Sequence, residues 1–238
     1  VARLNIRIDQ VAALRGFSGA KIPDPVQVAV MAELAGADGI AIYLGEDRHH
    51  PRERDLYLLR NVLQGDLILE MAPTEKMVEK ALEVKPEMVT LVPEIPERLA
   101  VGKGLDLDNS YDQLSELIPR LQAQDMLVAL FITPEVEAVK KAAKLKADYV
   151  ELSTTAYGQA KNSADRAEAL EALSSMAALA SKLLLGVSGG RGLDYRNVKQ
   201  VVEIGQFEEF SIGRAIICRA VFVGIERAVK EMIELVKG

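Results

Sequence analysis

Eight short runs of β-branched or aliphatic residues recur along the chain, each followed by a longer stretch with helical apolar spacing. That alternation is the pattern of parallel strands joined by crossover helices. The strand candidates are residues 3–9, 39–44, 67–71, 87–92, 127–132, 148–153, 183–188 and 209–213. No two of them are separated by the two-residue turn of a hairpin. A chain of 238 residues could hold two small domains, but a βα barrel commonly takes about 250 residues as one. The repeat count therefore predicts an α/β fold, a (β/α)8 TIM barrel with residues 1–238 as a single domain.

Local signals agree with this. Asp24-Pro25-Val26-Gln27 places a capping acceptor before a first-turn proline, and Thr133-Pro134 repeats the device. Val221, Phe222, Ile225, Ala228, Val229, Met232, Ile233 and Val236 form one stripe, predicting a last helix that packs outside the sheet and closes the barrel. Two helix-to-strand junctions, Ala37-Asp38-Gly39-Ile40 and Ala147-Asp148-Tyr149-Val150, echo each other as repeated units should. The one long connection without helical spacing, Glu94 to Asn109, contains Gly102-Lys103-Gly104 and follows the fourth strand. In a barrel it lies on the C-terminal face, where such a loop serves as a lid or binding loop.

Composition narrows the function classes. With 49% hydrophobic and 27% charged residues the chain can bury a large core. A net charge of −6 argues against nucleic acid or an anionic membrane as a partner, since both need a concentrated basic surface. The sole cysteine, Cys218, lies early in the apolar last helix and is expected to be a small buried side chain. With no disulfide possible within the chain and no long apolar run, a reducing cytoplasm is the expected location.

Catalytic groups of βα barrels sit at the C-terminal ends of strands. Those positions are Arg7, Asp9 and Gln10; Tyr43, Gly45, Glu46 and Asp47; Glu70; Glu94; Thr133; Glu151, Ser153 and Thr154; Ser188 to Gly192; and Ser211 to Arg214. Gly190, Arg191 and Gly192 after strand seven, with Gly213 and Arg214 after strand eight, suit a phosphate. Glycines let backbone N–H groups approach, a helix N-terminus favours an anion, and arginine adds bidentate donors. Alone, the glycines could be no more than tight turns. Glu70 ends an apolar strand, which suits it either to acid–base work or to a structural ion pair with an arginine. His49 and His50 are the only histidines, too few for a metal site, and one of them is better suited to a substrate phosphate.

Read in order, several motifs carry a resemblance: Ile8-Asp9 with Ala13-Leu14-Arg15, Pro23-Asp24-Pro25-Val26-Gln27, Ala35-Gly36-Ala37-Asp38-Gly39-Ile40, Glu46-Asp47-Arg48, Leu69-Glu70-Met71-Ala72, Leu91-Val92-Pro93-Glu94, Gly104-Leu105-Asp106 and Ile212-Gly213. Over nearly its whole length the chain resembles the pyridoxine 5'-phosphate synthase family. That resemblance implies a condensation of 1-deoxy-D-xylulose 5-phosphate with 3-amino-2-oxopropyl phosphate, with no metal or organic cofactor. It implies a cytoplasmic homo-oligomer, typically an octamer, whose partner molecule is a small phosphorylated metabolite. Carried over by position, Asp9 and His50 bind the pentulose phosphate, Glu70 is a general base, and Gly192 and Gly213 lie near the second phosphate.

The departures fall on the chemistry. The family has histidine where this chain has Gln10, Tyr43, Arg191 and Arg214, and positions 43 and 191 match its base and proton donor. It has asparagine at Arg7, arginine at Ser18 and Gly45, and threonine at or near Ala100. Histidine shuttles protons near neutral pH, whereas arginine stays protonated. Two functions remain open on the sequence. One is an enzyme in which Glu70, Tyr43 and Arg191 carry either the inherited pyridoxine 5'-phosphate synthesis or a different condensation, isomerisation or dephosphorylation, while Arg7 and Arg214 clamp anions. The other is an inactive paralogue that binds a phosphorylated metabolite.

Overall fold

A computed structural model describes residues 1–18, 21–45, 52–94 and 102–238. The first half runs β1 (Arg3–Arg7), α1 (Asp9–Ser18), α2 (Pro25–Leu34), β2 (Gly39–Leu44), α3 (Glu53–Val62), β3 (Asp66–Met71), α4 (Glu75–Val84), β4 (Met88–Leu91) and α5 (Tyr111–Gln122). The second runs β5 (Leu127–Ile132), α6 (Val136–Lys144), β6 (Tyr149–Ser153), α7 (Thr155–Gly158), α8 (Ser163–Lys182), β7 (Gly186–Gly190), α9 (Val198–Val202), β8 (Glu209–Ile212), α10 (Arg214–Val223) and α11 (Ile225–Lys237). The strands form one closed barrel in sequence order, all parallel, with β1 pairing back onto β8. This is the (β/α)8 barrel that the alternation predicts.

Strand residues alternate between two faces, and the apolar packing divides accordingly. Leu4, Ile6, Ile40, Ile42, Leu67 and Leu69 belong to the large core shared with the helices. Ala41, Ile68, Met88 and Ala129, with Tyr149 against them, form a second cluster on the opposite strand face. That cluster fills the lumen, so the barrel is a packed core rather than a pore. One register step closer to the strands' C-terminal ends, the inward positions turn polar: Arg7, Glu70, Thr90, Glu151 and Ser211 are all buried. Charge on the floor of the barrel mouth is what the fold supplies to the site.

Several local expectations need correction. β1 ends at Arg7, and Asp9 opens α1 instead of closing the strand. Strand seven covers Gly186–Gly190, not residues 183–188. Leu183 caps α8, and Leu184, left-handed at φ 63° and exposed, turns the chain before the strand begins. The aliphatic run there is the end of a helix, and the glycines read as a loop are themselves sheet. Asp24 caps α2 as expected, its carboxylate accepting from the Val26 N–H at 3.0 Å. Thr133-Pro134 does not repeat that device, because α6 starts two residues further on with Glu135 as its cap.

The last helix is two helices. Gly224, at φ 80°, breaks the stripe between α10 and α11. Ile225, Ala228, Val229, Met232 and Val236 are buried as predicted, whereas Val221 and Phe222 are exposed. Cys218 on α10 is likewise exposed, not buried. No helix among the described residues is long and apolar enough to cross a membrane.

Candidate active site at the barrel mouth

A cavity of about 440 Å³ opens at the C-terminal ends of the strands, within the range of small-molecule sites. Arg7, Asp9, Gln10 and Tyr43 line one side. Arg191 and Gly192 after β7, with Gly213 and Arg214 after β8, continue the wall beside them, as the positional rule for barrels predicts. Glu70 and Gly190 do not line it: Glu70 lies beneath, 1% exposed, and Gly190 is inside β7. Gly45 lies just past β2, Glu94 is exposed after β4, and neither reaches the cavity wall. His49, His50 and Ala100, with the Glu46-Asp47-Arg48 motif, lie outside the described residues.

The floor is an ion-pair cluster. Glu70 Oε2 accepts a hydrogen bond from Arg191 Nη2 at 3.0 Å and forms an ion pair with Arg7 Nη2 at 2.7 Å. Arg7 Nη2 also meets Asp9 Oδ2 at 3.1 Å, and Asp9 Oδ1 accepts the Tyr43 backbone N–H at 2.8 Å. Of the two sequence alternatives for Glu70, the geometry is the ion pair. Burial works against the charge on Arg7, but Glu70, Asp9 and Glu151 outweigh it and raise its pKa above the ordinary arginine value. Glu151, 3% exposed on β6, differs: burial and then the nearby Glu70 charge push its carboxyl up to about 7, against the pull of Arg7 and Arg191.

Arg191 is built into place. It adopts φ 74°, a conformation that residues other than glycine rarely hold. Its carbonyl accepts from Thr154 Oγ1, and its guanidinium lies 5.2 Å from the Phe131 ring centroid. The next residue, Gly192 at φ 85°, is fixed by Asn197 Nδ2 donating to its carbonyl at 3.0 Å. Gly158 is required by this packing, because a Cβ there would come within 2.3 Å of the Gly192 oxygen. Gly213, the cap of α10, is equally crowded, with Arg7 Cβ and Gln10 Oε1 within 2.8 Å of a notional Cβ.

Lys103, Phe131, Thr155 and Gln159 also line the cavity, and sequence reasoning did not single them out. For Lys103 a signal existed, the Gly102-Lys103-Gly104 step in the long connection. Its geometry shows why glycine stands there: Gly104 passes so close to β5 that a Cβ would lie 2.4 Å from the Thr133 nitrogen. The chain is then pinned by Leu105 N–H to the Phe131 carbonyl at 2.8 Å, and Ser153 Oγ holds the Gly102 carbonyl at 2.9 Å. Among the described lining residues four are cationic (Arg7, Lys103, Arg191, Arg214) and one is acidic (Asp9). A positive cavity in a chain of net charge −6 concentrates anions where the rest of the surface disperses them.

Comparison with known proteins assigns the chain to a family. A family profile described as "Pyridoxal phosphate biosynthesis protein PdxJ" matches residues 4–238. Proteins named pyridoxine 5'-phosphate synthase are similar over the whole chain: 46% identity for that of Geotalea daltonii and 48% for that of Geobacter sp. strain M21, each over 237 residues covering 100% of this chain and 99% of the relative. Among solved structures, thiamine phosphate pyrophosphorylase from Pyrococcus furiosus superposes with a TM-score of 0.65 at 17% identity, covering 99% of this chain and 95% of that one. Phosphoribosyl anthranilate isomerase from Thermotoga maritima gives 0.64 at 16%, covering 100% of both chains. At these identities the structural likeness concerns the fold alone.

Proposed function

The chain belongs to the PdxJ family, and on that basis we propose that it is a pyridoxine 5'-phosphate synthase-like enzyme on small phosphorylated carbonyl and amine substrates, with a substrate or reaction shifted from the family's. The observation that carries this is the excess of cationic groups at the mouth, four against one acidic group among the described lining residues. In this proposal Arg191 and Arg214 clamp anionic groups beside Gly192, Gly213 and the N-terminus of α10. Arg7 and Glu70 hold the floor, Asp9 and Gln10 contact the ligand from α1, and Tyr43 offers a phenolic donor. Gly190 leaves room beneath them, and His50 is assigned to a substrate phosphate by resemblance. No cofactor takes part.

The test is direct: purified protein is incubated with 1-deoxy-D-xylulose 5-phosphate and 3-amino-2-oxopropyl phosphate, and pyridoxine 5'-phosphate is followed by absorbance and mass. Turnover slower than the family's, or a different product from the same phosphates, is the expected result. Arg191→Ala and Arg214→Ala should each weaken ligand affinity about 10–100-fold, since a charge-assisted hydrogen bond contributes about 1.5–3 kcal/mol. One observation favours a second reading: at a position where the family's proton donor is expected, Arg191 sits on Glu70 at 3.0 Å. Thermal stabilisation by phosphorylated metabolites without any turnover would make the protein a binder instead.

Assembly as a homo-oligomer, an octamer by family resemblance, is part of the same proposal. Phe17 at the end of α1 and Val221 and Phe222 at the end of α10 are large apolar side chains left in solvent, the kind of surface that subunit contact covers. Light scattering should return a multiple of the 26.0 kDa chain mass, and a monomer at working concentration would reject it.

A further inference from the structure

The floor holds two buried carboxyl groups, and their surroundings are unequal. Glu70 presents Oε2 to both Arg7 and Arg191, so a proton arriving at that oxygen would displace two guanidinium contacts. Each of the two carboxyls keeps a buried Oε1 without a hydrogen-bond partner, but among the described residues no cation lies within ion-pair distance of Glu151. Its seat is shaped by Gly190, where a Cβ would lie 2.2 Å from Glu151 Oε1. Ser211, the register partner of Gly190, lines the cavity and carries an Oγ that also lacks a partner. A hydroxyl able to donate and accept therefore adjoins both the carboxyl's seat and the cavity.

We infer that the exchangeable proton on this cavity floor resides on Glu151, while Glu70 serves as the fixed anion that holds Arg7 and Arg191 in place. The charged groups facing Glu151 are Arg7 from β1, Glu70 from β3, Arg191 after β7 and Glu209 from β8. Arg7 and Arg191 already pair with Asp9 and Glu70, so an ionised Glu151 would be a third buried carboxylate against two permanent cations, with no ion pair of its own, and that is costly. A proton on Glu151 removes that cost. The raised value of about 7 for this group agrees with the geometry. When the proton leaves, the Ser211 hydroxyl on the cavity wall gives its own proton to an oxygen or nitrogen of the bound ligand and takes up the one from Glu151, the carboxylate left behind faces Arg7 and Arg191, and the proton is recovered from water. Arginines at positions 7 and 191, both departures from the family's pattern, hold Glu70 in its ion pairs and leave the proton to Glu151.

The location of the proton is independent of the reaction, whereas its use in catalysis rests on the proposed function. Infrared spectroscopy of the full chain, titrated between about pH 5 and 9 around the shifted value, reads the location directly through the carbonyl stretch of a buried neutral carboxyl. One such band should titrate near neutral pH in the unmodified protein. It should vanish in Glu151→Gln and persist in Glu70→Gln with its midpoint moved to lower pH, since a neighbouring negative charge is gone. Should Glu151→Gln fail to fold, Gly190→Ala supplies the second arm: the added methyl presses on Oε1 and should shift the band's frequency or midpoint. A band that survives Glu151→Gln and disappears in Glu70→Gln, or no titrating band in that interval, overturns the inference. Absence of turnover with the two phosphates would leave the band untouched, so the two proposals fail separately.

Discussion

Replacing Arg7 by alanine is expected to destabilise the protein by about 3–5 kcal/mol, the cost of stripping a buried ion pair of one partner. Arg7 is 6% exposed and meets two carboxylates at once, Glu70 at 2.7 Å and Asp9 at 3.1 Å. Both are buried, at 1% and 8% exposure, so water cannot replace the lost guanidinium. Urea denaturation should show the midpoint falling with an unchanged slope, the mark of lost stability without a changed unfolded state. The double variant Arg7→Ala with Glu70→Gln should recover part of the loss, because the uncompensated charge goes with its partner; the coupling between neighbours is then read from the cycle. Full additivity of the two substitutions would mean that the contact carries no interaction energy.

The barrel was legible because it is written in periodicity. Eight aliphatic runs bounded by helical stretches leave few alternatives, and the buried strand residues Leu4, Ile40, Leu67 and Val128 follow from alternation alone. Where apolar residues serve two kinds of element the periodicity misleads. Leu183 and Leu184 look like a strand start yet end a helix, and Phe222 fits the stripe of α11 yet points to solvent beyond the Gly224 break. Of the site, the strand-end rule named Arg7, Tyr43, Arg191 and Arg214, and the structure brings these four to one cavity. It could not say which neighbours would touch. That Arg191 and Arg7 converge on one oxygen of Glu70 depends on side-chain reach across the lumen, between positions 121 residues apart for the first pair. Lys103 stood out only through its glycine-flanked loop and Phe131 only as a residue of β5, since their meeting at the mouth joins groups that sequence spacing keeps apart.

Arg15→Ala should cost a similar amount, about 3–5 kcal/mol, although it lies away from the cavity. Arg15 on α1 forms a bidentate pair with Asp55 on α3, Nη1 to Oδ1 at 2.8 Å and Nη2 to Oδ2 at 2.6 Å, with Asp55 fully buried. Two parallel charge-assisted bonds fix the relative orientation of the helices as well as their distance. α1 is also the helix that carries Asp9, Gln10 and Ala13 to the cavity wall, so ligand affinity should fall along with stability. Arg15→Lys keeps the charge but not the planar fork and should recover only part of both.

The pH dependence of the Arg15 defect has a definite sign. Burial pushes the Asp55 carboxyl up, but the Arg15 hydrogen bonds, the Arg52 N–H and the charges of Arg15 and Arg54 outweigh it and hold Asp55 below the usual aspartate range. A group depressed in the folded state contributes stability above its unfolded value, about 3.9 for aspartate, and loses it as pH falls through the lower folded value. The deficit of Arg15→Ala relative to the unmodified protein should therefore be full at neutral pH and shrink below about pH 4, as acid removes from the unmodified protein what the substitution has already removed from the variant. Urea midpoints for both proteins across that interval measure the difference. A deficit that stays constant into acid would show that Arg15 acts through the packing of its alkyl chain rather than through Asp55.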